Sequence, residues 1–258
     1  MEDSELRQSL AIAIKAARRA QSVFQKHAPL VRHVVSKSDR EIKVNLDYSL
    51  EAEILGVLRE SSDLPILSEE SDHSREDGLW WIIDPLDGSL NWLRNIPFFS
   101  ISIGLYKGIE PILGIVLDLV RDELYYGGKG LGAWLNDSPI RVSKINKKRE
   151  AVLCTGFPSA YEFRPNREQR AESIYSEYLK VRMLGSAAMS LAYVASGVVD
   201  VYWEQDIKLW DVAAGVALVQ AAGGKAICSG VAGDFSLSVT AAADETIISH
   251  LMFPSRPG

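Results

Sequence analysis

Cysteine is almost missing from this chain of 258 residues: Cys154 and Cys228 each stand alone in apolar surroundings, with no CxxC spacing. That suits two reduced core thiols, with a single disulfide between them as the alternative. Histidine is scarce as well. His27, His33, His73 and His250 are isolated from one another and read as surface residues rather than as a set of ligands. Net positive charge is lacking: 28 Lys and Arg stand against 34 Asp and Glu, giving −6, and the basic run Lys147-Lys148-Arg149 is short. No nucleic-acid partner is expected from such a balance. The longest uncharged run, Met183 to Val199, falls short of the ~20 residues that span a bilayer, and its Gly, Ser and Ala content reads as a buried helix. The first residues, Met1-Glu2-Asp3-Ser4, are acidic and lack the pattern of a secretory signal, so a cytoplasmic location without membrane contact is expected. Three catalytic signatures are also absent: the GxxxxGK[ST] nucleotide loop, the HExxH zinc helix and the GxSxG elbow.

What is present is an ordinary globular composition, 47% hydrophobic and 24% charged. Leu6, Leu10, Ala13, Ile14, Ala17 and Phe24 recur at helical spacing over 4–27, and Leu46, Leu50, Ile54 and Leu58 do so from near Asp47 to about Glu60. The apolar runs Leu64–Leu67 and Leu79–Ile83 predict buried strands, each ending at a carboxylate. From Phe98 to Tyr126 three apolar runs broken by Lys107-Gly108 and Arg121-Asp122 predict an antiparallel meander. Beyond the polar stretch 143–150 the pattern alternates, with strands near 151–154, 181–184, 199–203 and 225–228 and helices near 166–180, 186–196, 210–222 and 244–252. Two lobes are therefore expected, 1–145 with the meander and 146–258 with the alternating elements.

Four acidic segments place a carboxylate where an element begins or ends: Asp47, Glu69-Glu70, Asp84-Pro85-Leu86-Asp87-Gly88-Ser89 and Trp210-Asp211. In the third, a very apolar strand delivers two carboxylates around a proline-stiffened turn, and Gly88 allows close backbone approach. Two carboxylates and an exposed carbonyl make part of the oxygen shell that a hard cation such as magnesium requires. A short helix at Ser89–Leu93 would offer free N–H groups to a phosphate. Each segment also has a plainer reading: Asp-Pro-Leu-Asp-Gly as a simple turn, and Asp47 and Asp211 as charges that complement a helix dipole.

The joint pattern decides between them. Leu67-Ser-Glu-Glu-Ser71, Trp81-Ile-Ile-Asp-Pro-Leu-Asp-Gly-Ser-Leu-Asn91 and Leu209-Trp-Asp-Val-Ala-Ala-Gly215, in that order, closely resemble the inositol monophosphatase family, a group of magnesium-dependent, lithium-sensitive phosphatases. Lys129-Gly-Leu-Gly-Ala-Trp-Leu-Asn136 and Gly185-Ser-Ala-Ala188 extend the match over nearly the whole chain.

The resemblance implies an α/β (α+β) fold, the layered α-β-α-β-α sandwich shared by inositol monophosphatase and fructose-1,6-bisphosphatase, with the site between the lobes. It implies two to three Mg2+ ions: Glu69, Asp84 and the Leu86 carbonyl for the first; Asp84, Asp87 and Asp211 for the second; and Glu69, with Glu70 close by, for a weaker third. Asp47 and the hydroxyl of Ser89, where relatives commonly carry Thr, would orient and deprotonate water for direct in-line attack on phosphorus. Gly185, Ser186, Ala187, Glu204 and Lys208 would line the substrate pocket with Asp87, Gly88 and Ser89. Glu204 welcomes hydroxyls and repels a second phosphate, which favours a polyol monophosphate such as inositol 1-phosphate. Lys208 would either meet another anion or pair with Asp206. Gly156-Phe157-Pro158 resembles a pocket-lining loop. Fructose 1,6-bisphosphate and histidinol phosphate stay open as substrates, as does a regulatory or binding protein that keeps the site as a scaffold. A homodimer is expected from the family.

Overall fold

The computed structural model describes residues 3–27, 34–37, 42–69, 76–157, 176–230 and 233–248. Helices α1 (Asp3–His27) and α2 (Asn45–Ser61) form where the apolar spacing predicts them. Their buried faces, Leu6, Ala13, Ala17 and Phe24 on α1 and Leu46, Leu50, Ile54 and Leu58 on α2, share one core. Each fully buried Leu or Ile in it contributes about 1.5–3 kcal/mol relative to exposure. Strands β1 (Val34–Lys37) and β2 (Ile42–Val44) form a separate antiparallel ribbon before α2.

Both helices cover one face of a seven-stranded sheet. Its strands run in sequence order: β3 (Ile66–Ser68), β4 (Leu79–Asp87), β5 (Ser100–Lys107), β6 (Glu110–Asp118), β7 (Glu123–Gly128), β8 (Gly132–Leu135) and β9 (Ser138–Ile140). β3 lies parallel to β4, and every later pair is antiparallel. The predicted meander is therefore present and runs two short strands further, through residues too mixed in polarity to signal strands. Alternation along β4 explains its unbroken hydrophobicity. Trp81 and Ile83 face α1 and α2, while Trp80 and Ile82 face the opposite side, so both faces are covered.

That opposite side carries α4 (Ala187–Ala195) and α5 (Leu209–Ala221), with the one-turn α3 (Ser89–Leu93) following β4. α5 sits directly on the sheet backbone. Gly104 and Gly114 are cross-strand partners on β5 and β6, and a Cβ on Gly114 would lie 2.1 Å from the Ala214 carbonyl oxygen. Seating α5 this deeply fixes its first turn, where Asp211 lies, against the sheet.

A second, five-stranded sheet covers the far side of these helices in the order β11 (Lys180–Arg182), β10 (Val152–Thr155), β12 (Val201–Lys208), β14 (Ser236–Ala242) and β13 (Lys225–Ser229). β10 is parallel to both β11 and β12, and the remaining pairs are antiparallel. Leu153, Val201, Trp203 and Ile247 cluster on its outer face. The layers thus alternate helix, sheet, helix, sheet, the mixed α/β architecture expected. Among the described residues no helix is long and apolar enough to cross a membrane.

Several local expectations need correction. β12 continues to Lys208 instead of stopping near 203, because β14 pairs with it over that length. β14 itself, Ser-Leu-Ser-Val-Thr-Ala-Ala, is too small and mild in its side chains to stand out as a strand. The uncharged run from Met183 is helical only over Ala187–Ala195, and the strand near 181–184 spans Lys180–Arg182. Of the helix expected over 166–180, positions 166–175 lie outside the described residues, and the chain has left helical geometry by Tyr178. Of 244–252 the described part is a 3-10 turn at Glu245–Ile247. Cys154 is buried, but Cys228, on the edge strand β13, is exposed; both thiols are free.

Candidate functional site

The chemistry-bearing segments converge on a cavity of about 280 Å³ between the two sheets. Glu69, Asp84, Leu86, Asp87, Gly88, Ser89, Gly185, Ser186, Ala187, Glu204, Lys208 and Asp211 all line it, as do Gly156 and Phe157. Asp47 does not line it; it is buried at the first turn of α2 and is reached through Ser89. Glu70, His73 and Pro158 lie outside the described residues.

How β4 aims two carboxylates into one cavity follows from its register. Residues three apart on a regular strand point to opposite faces. Asp84 pairs with Ser102 and Asp87 with Ser100, so three steps on β4 match two on β5. This one-residue bulge restores both carboxylates to the face shared by Ser100 and Ser102. Pro85 has no N–H to give the ladder and is placed where the ladder is interrupted. The simple turn considered for Asp84–Asp87 is thus a bulged strand, and the true turn falls at Gly88. Gly88 has φ 88°, and an added Cβ would meet the Phe98 carbonyl oxygen at 3.0 Å.

β12 uses the same device. Glu204 pairs with Val239 and Ile207 with Leu237, again three steps against two, with Asp206 in the left-handed region at φ 55°. Tyr202 and Glu204 face inward by ordinary alternation, the bulge brings Ile207 to the same face, and Trp203 packs on the outer core.

Asp87 is tied to the far side of the cavity. Its Oδ2 accepts from the Ser186 hydroxyl and from the Ala188 N–H at 3.0 Å, and its Oδ1 accepts from the Ala187 N–H at 3.2 Å. A carboxylate at the start of α4 complements both the free N–H groups and the helix dipole. Leu86 N–H donates to Asp84 Oδ1 at 2.9 Å, and Lys208 N–H to Asp211 Oδ2 at 3.3 Å.

Crowding of carboxylates governs the electrostatics. Burial, then the charges of Glu69, Asp87 and Asp211, push Asp84 well above the usual carboxylate range. Asp211 is raised well above it by burial, then by Glu69, Asp87 and Glu204. Burial lifts Asp87 to about 6 against the opposing pull of the α4 donors. Glu204 is lifted to about 7, again chiefly by burial. Among the described residues no three His, Cys, Asp or Glu side chains are spaced to hold a metal ion as they stand. The carboxylates share one cavity and one field. Their chemistry is that of hard oxygen donors, which fits magnesium or another hard divalent cation.

Ser89 Oγ lies 2.8 Å from the Leu86 carbonyl oxygen and 3.3 Å from Asp47 Oδ1. Its single hydrogen serves one acceptor at a time. Lys208 corrects an expectation: its ammonium donates to Asp234 Oδ2 at 2.8 Å, the Asp234 carbonyl at 3.0 Å and Ser236 Oγ at 3.0 Å, rather than pairing with Asp206. The cause is again β14, which sets Ser236 opposite Lys208.

Three site-supporting residues carry no readable signal in the sequence. Asn91 Nδ2 bridges the carbonyls of Phe98 at 2.8 Å and Leu184 at 2.7 Å, holding α3 beside the loop before α4. Tyr202 donates to Glu204 Oε2 at 2.6 Å, and Asp234 holds Lys208.

Comparison with known proteins identifies the family and the fold. Residues 5–250 match the sequence profile of the inositol monophosphatase family. The chain is 37% identical over 217 residues to the Nus factor SuhB of Xylella fastidiosa, covering 83% of this chain and 79% of that one. It is 35% identical over 257 residues to the Nus factor SuhB of Haemophilus influenzae, covering 96% of each. Among solved structures, the inositol monophosphatase of Anabaena (Nostoc) superposes with a TM-score of 0.81 at 33% identity, covering 95% of this chain and 94% of that one.

Proposed function

The chain belongs to the inositol monophosphatase family, and from that premise we propose that it is a magnesium-dependent phosphatase hydrolysing the monophosphate of a small polyol, inositol 1-phosphate before others. The observation that carries this reading is the meeting, in one cavity, of the carboxylates Glu69, Asp84, Asp87 and Asp211 with the hydroxyl-accepting Glu204 opposite.

Glu69, Asp84 and the Leu86 carbonyl are the residues that would hold a first magnesium ion, and Asp84, Asp87 and Asp211 a second. Glu69 is also the residue that would serve a third. When bound, magnesium supplies neutralisation of charge on the phosphoryl oxygens and the leaving alkoxide and makes water a stronger nucleophile. Asp47 and Ser89, 3.3 Å apart, orient the attacking water, and the Asp47 carboxylate takes its proton. The N–H groups from Gly88 into α3 face the phosphate, and no covalent phosphoenzyme is formed. Glu204 accepts a hydroxyl of the alcohol half and disfavours a second phosphate there. With its three hydrogens given to Asp234 and Ser236, Lys208 is engaged in the wall rather than offered to a substrate anion. Lithium inhibition, a cytoplasmic location and a homodimer belong to the same reading.

A binding or regulatory protein is the second reading, and the name Nus factor borne by the bacterial relatives is the observation behind it. Against it stands the clustering of buried carboxylates, which weakens a fold unless cations offset the repulsion. Phosphate release from inositol 1-phosphate, histidinol phosphate and fructose 1,6-bisphosphate, with and without magnesium and with added lithium, separates the two. Magnesium-dependent, lithium-inhibited release, fastest from inositol 1-phosphate, is expected. Magnesium binding with no release from any of them would favour the second reading.

A further inference from the structure

Glu204 does not stand by itself in the cavity wall. It is 8% exposed, and the hydroxyl of Tyr202, two residues earlier on the same inward face of β12, donates to its Oε2 at 2.6 Å. Tyr202 is 1% exposed and lies in the middle of the five-stranded sheet, so it has little freedom to leave this partner. Among the described residues no donor reaches Oε1. From the other side the carboxylate lies against the backbone of Gly156, just past the end of β10. A Cβ there would stand 2.4 Å from Oε2 and 2.5 Å from Oε1, closer than van der Waals contact permits. Tyr202, Glu204 and Gly156 all line the same cavity.

We propose that Tyr202 and Gly156 are positioning residues for substrate selection: Tyr202 occupies Oε2, Gly156 leaves the space the carboxylate fills, and Oε1 is thereby held as the acceptor for a hydroxyl of the leaving alcohol. The inference rests on the phosphatase reading and narrows it, from a residue that accepts hydroxyls to a three-residue device that orients one acceptor. A tyrosine hydroxyl suits the task because it has one hydrogen to give and a rigid ring behind it. It fixes one oxygen and leaves the other as the acceptor that a substrate hydroxyl can reach.

The test compares two phosphate monoesters in the full-length protein with saturating magnesium: inositol 1-phosphate, which carries ring hydroxyls, and p-nitrophenyl phosphate, which carries none. Tyr202→Phe is expected to raise KM for inositol 1-phosphate about five- to tenfold, the scale of one ordinary hydrogen bond. Its kcat is expected to stay within about twofold, and both constants for p-nitrophenyl phosphate to hold. Gly156→Ala, which displaces the carboxylate from the opposite side, is expected to move the same ratio in the same direction. Should Gly156→Ala fail to fold, Tyr202→Phe, which keeps the ring, decides. Equal losses on both esters, or an unchanged KM for inositol 1-phosphate, overturn the proposal. Glu204→Gln separates it from the reading beneath it. If that variant alone shifts the ratio, Glu204 selects hydroxyls without help from Tyr202 or Gly156. If the parent protein releases phosphate from neither ester, the phosphatase reading fails and the proposal with it.

Discussion

The two walls of the cavity are built by the same trick and balanced in opposite ways. On one, the bulge in β4 turns Asp84 and Asp87 to a common face, with Glu69 and Asp211 arriving from β3 and α5. On the other, the bulge in β12 turns Glu204 and Ile207 to a common face. The first wall gathers like charges that raise one another's proton affinity, a repulsion that a bound cation would offset. The second is satisfied from within: Glu204 is held by Tyr202, and Lys208 by Asp234 and Ser236. On the proposed reading, the first wall would serve the chemistry common to many phosphate esters. A wall that holds its own groups in place and leaves Oε1 of Glu204 to accept would, on the proposed reading, set the choice among alcohols.

The sharpest way to break this contrast is at its charged side. Asp84→Asn is expected to remove most of the rise in melting temperature that magnesium produces, and to cut phosphate release by more than the roughly 10- to 100-fold seen on losing partners outside a metal's direct ligands. An equal magnesium-induced rise in variant and parent would show that Asp84 is not a ligand.

A medium effect is expected at Glu204, where the sign follows from linkage. Burial raises its folded-state proton affinity to about 7, above the ordinary carboxylate value, so its stabilising contribution is present at low pH and lost as pH rises through that range. Glu204→Gln keeps an acceptor for Tyr202 and cannot ionise. In metal-free protein, the melting temperature of the variant minus that of the parent should therefore be larger at pH 8 than at pH 5. A difference that is flat with pH would mean that Glu204 is not the buried acid described.

The smallest effect belongs to Lys208. Its partner Asp234 is largely exposed, with a side chain 62% accessible, so Asp234→Ala should cost at most about 1 kcal/mol by chemical denaturation. The same variant frees the ammonium. If hydrolysis of fructose 1,6-bisphosphate then rises relative to inositol 1-phosphate, the pairing with Asp234 was what kept Lys208 from reading a second anion.

The parts of this site that were legible in the sequence are those whose signal is local. Trp80 to Asp87 announces a strand buried on both faces because every residue before Asp84 is apolar, and α1 and α2 announce themselves by spacing. What stayed hidden depends on register between distant strands. Asp47 meets Ser89 across 42 positions, and Tyr202 looks like any core aromatic until its face of β12 is seen to line the cavity. Asp234 partners Lys208 only because β14, a strand of small residues, lies beside β12. Spacing alone would even have misled at Asp84 and Asp87, since three residues along a regular strand point apart. The family resemblance named the right segments without revealing the extra residue that makes them agree.

That extra residue turns part of β4 into a measuring stick with one added notch. Exchanging Pro85 or Leu86 for another amino acid changes chemistry at one point, whereas adding one residue to β5 between Ser100 and Ser102 would let three steps pair with three, erase the bulge and turn Asp87 toward the apolar core packed by α1 and α2. In that stretch the length of the chain, more than its lettering, keeps a charge out of the oil.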